Sequence, residues 1–156
     1  MNKNDAYNWA NKRIRAQVER AVEDTPVFAN TAAILKEYFP NMFWVGFYFT
    51  RPDHLVLGPF QGPPACVKLS YDKGVCAAAV RERRTILVPN VHEFPGHVAC
   101  DSRSQSEVVV PIKGADDEIA AVLDVDGAEL NAFDETDVTG LEAVASQLST
   151  LIKKNT

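Results

Sequence analysis

Residues 107–126, EVVVPIKGADDEIAAVLDVD, contain two apolar segments separated by a short polar connection. Glu107 to Ile112 and Glu118 to Asp126 are rich in β-branched and aliphatic residues, as strands are. The connection Gly114-Ala115-Asp116-Asp117 is short and consists largely of residue types that form hairpin turns. Because a hairpin pairs its two strands in opposite directions, this stretch predicts an antiparallel sheet.

The sequence on either side of this hairpin alternates between helical and strand-like segments. Apolar residues recur at helical spacing over residues 5–23 and again after Asp134, a good N-cap with Asp137 three residues on. Further helices are predicted at about 27–38 and 73–83, and further strands at 43–49, 54–57 and 85–88. Adjacent strands joined by tight turns, with helices on one face or at the ends of the sheet, make an α+β fold. The length predicts one domain over residues 1–156.

The composition predicts a soluble domain without a nucleic-acid or membrane partner. The chain has 156 residues, of which 46% are hydrophobic, and this is enough to form a core without disulfides. Its formal net charge is −5, and it lacks the basic stripe that a nucleic-acid surface requires. No apolar stretch is long enough to cross a bilayer, and residues 1–15 have no apolar signal segment. We therefore expect a cytoplasmic protein, in which clustered cysteines more often serve redox or metal chemistry than structural bridges.

Three acidic residues fall where the predicted hairpin can bring them together. Alternate residues of a strand share a face, so Asp124 and Asp126 point the same way. Two neighbouring carboxylates repel each other unless water or a cation offsets their charge, and an exposed strand end would meet that condition. Because Glu107 begins the paired strand, the three acids can instead line one site. Such a site would suit a small ligand that carries an ammonium group.

Aromatic residues on the strand at 43–49 suggest a second part of a site. Trp44, Gly46 and Tyr48 share one face, whereas Val45 and Phe47 share the other, which suits the core. Two large rings on either side of a glycine predict a slot for a small apolar group. The alternative is that these rings simply pack under a helix.

The three cysteines, Cys66, Cys76 and Cys100, are the residues most indicative of chemistry. Three thiols cannot all pair within one chain, so at least one is free or takes part in exchange, metal binding or an intermolecular bridge. Cys100 lies in residues 89–106, a long segment without periodicity, and such loops are usually functional or disordered. Its proline, histidine and aromatic content argues against disorder.

The surroundings of Cys100 resemble those that a reactive thiol needs. A cysteine acts as a nucleophile only as the thiolate, which donors or positive charge stabilise. His97, His92 and the backbone amides around Gly96 are candidates for that role. Zinc binding is the alternative use of these residues, although no pair has the usual finger spacing and only His97-x-x-Cys100 comes close. The candidate ligands are Cys66, Cys76, Cys100, His92 and His97.

Five stretches of the chain resemble the free methionine-(R)-sulfoxide reductases, which are small single-domain GAF proteins. The similarity covers about residues 40–145, and ordinary GAF signalling modules lack these cysteines and the FPGH-x-ACD-x-x-S-x-SE string. It implies a central antiparallel sheet with the N- and C-terminal helices packed together. The stretches are WVGFYF (44–49), LGPFQGPPAC (57–66), KGVC (73–76), FPGHVACDSRSQSEVVVPI (94–112) and LDVD (123–126).

The resemblance implies an activity and a role for each candidate residue. The family reduces free L-methionine (R)-S-oxide to L-methionine, with thioredoxin as the usual reductant, and a homodimer is expected. No cofactor or metal is expected. Cys100 matches the nucleophile and Cys66 the resolving cysteine, whereas Cys76 matches a third cysteine that has also been considered as nucleophile or second resolver. The remaining matches are the substrate-binding acids Glu107, Asp124 and Asp126 and the aromatics around the substrate methyl group, Trp44 and Tyr48.

The chain departs from the family pattern at three positions. Asn90 stands where aspartate is expected, Ala77 where glycine is common, and Gly127 where serine is common. None of these changes removes a proposed catalytic group. Asn90 is expected to affect loop packing or local charge, and Ala77 is expected to restrict movement near Cys76.

Two other functions compete with the reductase interpretation. A GAF sensor would bind a small ligand without converting it, and the three cysteines argue against that. A metal-binding or redox-sensing protein would bind stoichiometric zinc, or would form a disulfide with peroxide and ignore methionine sulfoxide.

Overall fold

The computed structural model describes residues 1–156, with helices at both ends of the chain and a six-stranded sheet between them. The helices are α1 (Lys3–Glu19), α2 (Asp24–Tyr38), α3 (Val75–Glu82) and α4 (Glu135–Lys154). The strands are β1 (Met42–Thr50), β2 (Leu55–Gln61), β3 (Lys68–Leu69), β4 (Ile86–Val88), β5 (Ser106–Lys113) and β6 (Ile119–Gly127). Short 3₁₀ turns occupy Val91–Glu93 and Ala115–Asp117. None of the helices combines the length and apolar character that a membrane span requires.

The six strands form one antiparallel sheet in the order β3-β2-β1-β6-β5-β4. The hairpin predicted from residues 107–126 is β5–β6, and its register places Glu107 opposite Asp126. On its other side β6 pairs with β1, which places Asp126 opposite Trp44. The predicted α+β class and the antiparallel sheet are confirmed, and the sheet brings acidic and aromatic residues from three strands side by side.

The two faces of the sheet carry two separate apolar clusters. On one face α1, α2 and α4 pack against residues such as Val45, Phe47 and Leu123, which are fully buried. On the other face α3 packs against β5 and β6, next to Tyr48 and Val109. Burying a large apolar side chain contributes about 1.5–3 kcal/mol, so the three-helix layer is the main source of stability. The face that carries α3 is left for the site.

The structure corrects the boundary between the first two helices. α1 ends at Glu19 rather than at residue 23, and residues 20–23 connect it to α2. α2 begins at Asp24, earlier than the predicted residue 27, and contains Pro26 in its first turn. Proline is tolerated there because the N–H that it lacks has no partner within the helix.

β2 is longer than the predicted strand at 54–57, because it continues through Gly58 and Pro59 to Gln61. Glycine and proline normally argue against a strand interior. The register between β1 and β2 shifts at this point, and that irregularity accommodates both residues. β3 has two residues and is too short to show a pattern.

The last helix has the predicted cap and is fastened to the first. The Asp134 side chain accepts hydrogen bonds from the backbone N–H groups of Thr136 and Asp137, and the Asp137 side chain accepts one from the backbone N–H of Asp134, which completes a capping box. The Tyr7 hydroxyl donates to Asp137 at 2.7 Å. Gly140 lets α1 and α4 approach closely, because the ring of Tyr7 lies where a Cβ would be. The terminal helices therefore pack together, as the resemblance implied.

Candidate active site

A cavity of about 50 Å³ lies on the face of the sheet that carries α3. Strands β1, β5 and β6 form its floor, the start of α3 forms one wall, and the loop between β4 and β5 covers it. Seven of the eight candidate residues line this one cavity: Trp44, Tyr48, Cys76, Cys100, Glu107, Asp124 and Asp126. The eighth, Cys66, is not in the lining but is bonded to Cys100.

The three acids lie together because β5 and β6 pair in register. Glu107 is opposite Asp126, and Asp124 follows two residues away on the same face. Glu107 is 7% exposed and Asp124 is 5% exposed, so they do not form an exposed strand end. No lysine or arginine forms an ion pair with them. The one basic group within range is His97, whose Nε2 lies 3.8 Å from Glu107 Oε1.

Burial raises the pKa of all three carboxyl groups. The pKa of Glu107 is well above its ordinary value, first because of burial and then because Asp124 and Asp126 add negative charge. Burial, followed by the charge of Asp124, likewise raises the pKa of Asp126 well above its ordinary value. Burial also raises the pKa of Asp124, although polar contacts to Glu107 and Cys76 oppose the shift. The cluster therefore retains protons that exposed carboxyl groups would have lost.

These shifts predict a pH dependence of stability. A carboxyl group whose pKa is higher in the folded protein stabilises the fold below its unfolded-state pKa, and this contribution is lost as pH rises through the folded-state pKa. The wild type should therefore lose free energy of unfolding as pH rises above about 4.3, the ordinary glutamate pKa. Glu107→Gln, which stays neutral, should lose less across the same range. Urea unfolding at a series of pH values measures the free energy of unfolding of both proteins.

Glu118→Gln is the matched control for this comparison, because Glu118 is exposed at the other end of the hairpin. Its stability should follow that of the wild type at every pH. If the free energy of unfolding fell equally with pH in the wild type and in Glu107→Gln, ionisation of Glu107 would carry no cost in stability, and the prediction would be wrong.

Trp44 and Tyr48 line the cavity and also hold the segment that carries Cys66. Trp44 Nε1 donates to the carbonyl of Pro63 at 3.1 Å, and the Tyr48 hydroxyl donates to the carbonyl of Cys66 at 2.8 Å. The two rings are stacked with their centroids 6.1 Å apart. Each ring thus satisfies its polar tip with backbone while its apolar surface remains at the site.

The predicted empty slot over Gly46 is wrong. Phe60 and the indole of Trp44 both occupy the space over this glycine, because a Cβ at Gly46 would clash first with Phe60 Cβ and would be 2.7 Å from Trp44 Cη2. The indole also stacks on Phe60, with 5.2 Å between ring centroids. Gly46 therefore allows Phe60 and the Trp44 indole to pack closely, and the apolar wall is the indole ring rather than a gap between rings.

Cys66 and Cys100 form a disulfide in the structure, with their Cα atoms 5.5 Å apart. Cys100 is exposed and Cys66 is partly exposed, so the bond is at the surface. Cys66 precedes β3, whereas Cys100 belongs to the loop over the cavity. The disulfide therefore ties that loop to the opposite wall.

Cys76, in the first turn of α3, is the one free cysteine, and it is 4% exposed. Burial raises the pKa of its thiol well above the ordinary value, and the charges of Asp124 and Glu107 add to the effect. A thiol that resists ionisation is a weak nucleophile. The electrostatics therefore disfavour Cys76 as the attacking group.

The predicted long loop spans residues 89–105 and is anchored at its ends. The backbone N–H of Val91 donates to Gln105 at 2.9 Å, and that of Gln105 donates to Gly127 at 2.8 Å. Within the loop, Arg103 donates to both carboxylate oxygens of Asp101, at 3.0 and 2.7 Å. These hydrogen bonds lower the pKa of Asp101 to about 2. Sequence reasoning missed this pair, because nothing in the local pattern distinguishes it from other charged loop residues.

Arg103 also fixes the loop to the sheet, since its guanidinium lies 4.9 Å from the ring centroid of Phe43. Phe43 and Lys73 line the cavity and were not predicted as site residues. Strand alternation places Phe43 on the face of β1 opposite to Trp44. Phe43 lines the cavity only because the loop folds over the edge of β1. No sequence signal pointed to either residue.

The two histidines proposed near Cys100 differ in position. His97 lines the cavity beside Glu107, and burial, followed by the charge of His92, lowers its pKa. His92 is exposed, lies outside the cavity lining, and is 3.2 Å from Gln105 through Nε2. Of the two candidate histidines, His97 therefore lines the cavity and His92 does not.

The zinc ligand set considered from the sequence does not assemble. The sulfurs of Cys66 and Cys100 are bonded to each other, and His92 faces Gln105. The one group of three potential ligands whose donor atoms lie within 4.8 Å of one another is Cys76, Glu107 and Asp124.

The structure shows the surroundings of two departures from the family pattern, and it explains the one at Gly127. The Asn90 side chain accepts a hydrogen bond from the backbone of His92 at 3.0 Å, a contact that aspartate would also make. A side chain at Gly127 would meet Ser106 Oγ at 2.8 Å, so glycine suits the close contact here. Ala77 is buried in α3, and nothing in the structure explains alanine rather than glycine there.

Comparison with known proteins agrees with the fold and the site described above. The GAF domain family matches residues 27–153. The free methionine-R-sulfoxide reductase of Escherichia coli is 38% identical over 152 residues, which are 97% of this chain and 92% of that protein. The X-ray structure of free methionine-R-sulfoxide reductase from Neisseria meningitidis in complex with its substrate has a TM-score of 0.94 and 39% identity, covering 99% and 94% of the two chains. The reduced form of fRMsr of Staphylococcus aureus has a TM-score of 0.88 and 42% identity, covering 94% of each chain.

Proposed function

Because the chain belongs to the free methionine-R-sulfoxide reductase family of GAF-domain proteins, we propose that it reduces free L-methionine (R)-S-oxide to L-methionine. One observation carries this proposal beyond family membership. Cys100, the acids on β5 and β6, and the two aromatics of β1 line the same cavity. A thiol, proton-bearing carboxyl groups and an apolar wall are what sulfoxide reduction by a cysteine requires.

The acids and the aromatics divide substrate binding between them. Asp124 anchors the ammonium group, since it is buried, has no cationic partner, and carries an oxygen without a hydrogen bond. Trp44 and Tyr48 bound the space for the methyl group, and so favour the R epimer. An acid-lined enclosed site rejects a methionine sulfoxide whose nitrogen is in a peptide bond, because a neutral amide cannot replace the ammonium.

Cys100 attacks the sulfoxide sulfur as the thiolate. Glu107, together with Asp126, holds the sulfoxide oxygen through a shared proton, which the raised pKa of both groups keeps available. The oxygen moves to Cys100 and takes up this proton, so that methionine leaves and Cys100 becomes a sulfenic acid. The substrate sulfur is thereby reduced, and the cysteine sulfur is oxidised.

Cys66 resolves the sulfenic acid. Its thiol attacks Cys100, the S–S bond forms, and the oxygen leaves as water. The pairing of Cys66 with Cys100 and the exposure of Cys100 support this step and its reversal by a protein reductant. Thioredoxin reduces the disulfide by thiol exchange and so returns both cysteines to thiols.

The loop that carries Cys100 moves during the cycle. A cavity of about 50 Å³ has room for about four water molecules, which is less than free methionine sulfoxide needs. The disulfide holds the loop over this cavity, so reduction must come before substrate entry. The enzyme acts in the cytoplasm as a homodimer, in which α1 supplies contacts through Trp9, a half-exposed aromatic residue.

The test is turnover of defined substrates. The reduced protein is incubated with the thioredoxin system and free L-methionine (R)-S-oxide, and NADPH consumption is followed. We expect steady turnover with this epimer and none with the S epimer or with a peptide blocked at both ends. No consumption, with a thiol count that the substrate leaves unchanged, would instead indicate a sensor or a metal-binding GAF domain.

A further inference from the structure

Cys76, Glu107 and Asp124 form a set of donors that the proposed reaction uses only in part. Their ligand atoms lie within 4.8 Å of one another. Each of the three side chains is more than nine-tenths buried, and all three face the cavity. The proposed reaction assigns roles to the two carboxyl groups but none to the Cys76 thiol.

A second observation indicates that this cluster lacks a ligand. Asp124 Oδ1 is fully buried and has no hydrogen-bond partner. A buried polar oxygen without a donor loses the hydration that it has in water and gains nothing in return. No lysine or arginine forms an ion pair with either carboxyl group, and the nearby His97 has a lowered pKa because it is buried. A bound cation would therefore give this buried oxygen a partner and offset the cost of its lost hydration.

We propose that Cys76, Glu107 and Asp124 bind a thiophilic divalent cation, for which Zn²⁺ is the reference, in the disulfide form of the protein. One sulfur and two oxygen donors match zinc, whereas magnesium and calcium prefer oxygen alone. On binding, the thiol and any protonated carboxyl group release their protons to solvent. The fourth coordination position is left to water, because His97 is not among the donors that lie within 4.8 Å of one another.

The space and the distances are compatible with this cation. Donors at zinc bond lengths lie about 3–4 Å apart, and the three donors here already lie within 4.8 Å of one another, so the side chains need only a small adjustment to bind the ion. The cavity of about 50 Å³ has room for an ion and a water molecule. The disulfide removes Cys66 and Cys100 from competition, because their sulfurs are bonded to each other.

The consequence for the site rests on the proposed function. The cation would hold the carboxyl groups that bind the substrate ammonium and share the proton with the sulfoxide oxygen. Because the cation binds the disulfide form and the substrate enters only the reduced form, cation binding would stabilise the form that excludes the substrate and would by linkage disfavour its reduction. A rise in free zinc would reduce turnover without touching the nucleophile.

Cobalt(II) serves as the probe, because a thiolate bound to Co²⁺ gives a near-ultraviolet charge-transfer band that carboxylates do not give. The full-length disulfide form is titrated with Co²⁺ and then with Zn²⁺ while absorbance is recorded. We expect one equivalent of Co²⁺ to produce the band and one equivalent of Zn²⁺ to remove it. Cys76→Ser should abolish the band, and Asp124→Asn should weaken Zn²⁺ binding at least tenfold in calorimetry.

His54→Asn is the control variant, since His54 and Asp53 form the other close histidine–carboxylate pair, at 2.6 Å, on a surface turn. It should leave the band and the affinity unchanged. Retention of the band in Cys76→Ser, or cobalt binding by the wild type without the band, would overturn the proposal. The titration uses no sulfoxide and no reductant. A protein that binds cobalt but fails the reductase assay would therefore contradict only the proposed function.

Discussion

Cys100→Ser is expected to lower turnover of free methionine (R)-sulfoxide by at least about a thousandfold, as removal of a catalytic nucleophile does. A serine hydroxyl at this position is not ionised at neutral pH and cannot form a sulfenic acid. Methionine released by the reduced variant is measured by chromatography in a single-turnover experiment without thioredoxin. The measurement isolates the chemical step from recycling of the disulfide.

Two matched variants assign the other cysteines. With the thioredoxin system present, Cys66→Ser should release about one equivalent of methionine and then stop, whereas the wild type turns over, because no resolving thiol closes the disulfide with Cys100. Cys76→Ser should keep turnover within about tenfold of the wild type, since the buried Cys76 thiol has a raised pKa and no assigned step. Appreciable methionine release by Cys100→Ser, together with an inactive Cys76→Ser, would move the nucleophile to Cys76.

Asp124→Asn is expected to lower kcat/KM for the free substrate by about 30-fold to several thousandfold. Truncating one partner of a buried charge pair costs about 2–5 kcal/mol, and each 1.4 kcal/mol is about tenfold. The variant keeps the size of the side chain but cannot pair with an ammonium group. It also removes one negative charge from the cluster with Glu107 and Asp126, so the folded protein should be at least as stable as the wild type.

Because kcat/KM should fall while stability should not, the two measurements together distinguish a role of Asp124 in function from a role in folding. Steady-state kinetics and thermal unfolding are measured on the same preparations. Asp116→Asn, on the exposed turn of the hairpin, is the control, and it should change neither quantity. A kcat/KM close to that of the wild type in Asp124→Asn would place the ammonium elsewhere, with Asp126 as the next residue to test.

The sequence predicted well which strands carry the site, because hydrophobic periodicity and the pairing of strands in a hairpin are local properties. Alternation along one strand placed Asp124 and Asp126 on a common face, and a short turn placed Glu107 on the neighbouring strand. Sheet geometry then leaves little freedom, since strands in a hairpin lie side by side. Motif resemblance pointed to Cys100 and Cys66, which are joined in the structure.

Features that depend on how distant segments meet were mispredicted or missed. The gap over Gly46 is filled because Phe60, from the neighbouring strand, supports the Trp44 indole there. His92 and His97 are equally plausible in sequence, but the hydrogen-bonded path of the loop turns only His97 toward Glu107. Similarly, the contact of Arg103 with Phe43 requires the loop to return to the edge of β1.

The sequence by itself determined the sheet, the helices and which residue types are available for chemistry, because hydrophobic periodicity and turn residues act over a few positions. Tertiary structure alone decided the electrostatics of the site. The same three carboxyl groups would have ordinary pKa values on an exposed strand. α3 and the loop that carries Cys100 exclude water from them, and this burial keeps their protons and raises the pKa of Cys76. Burial is a property of the assembled layers, so no pattern along the chain reports it.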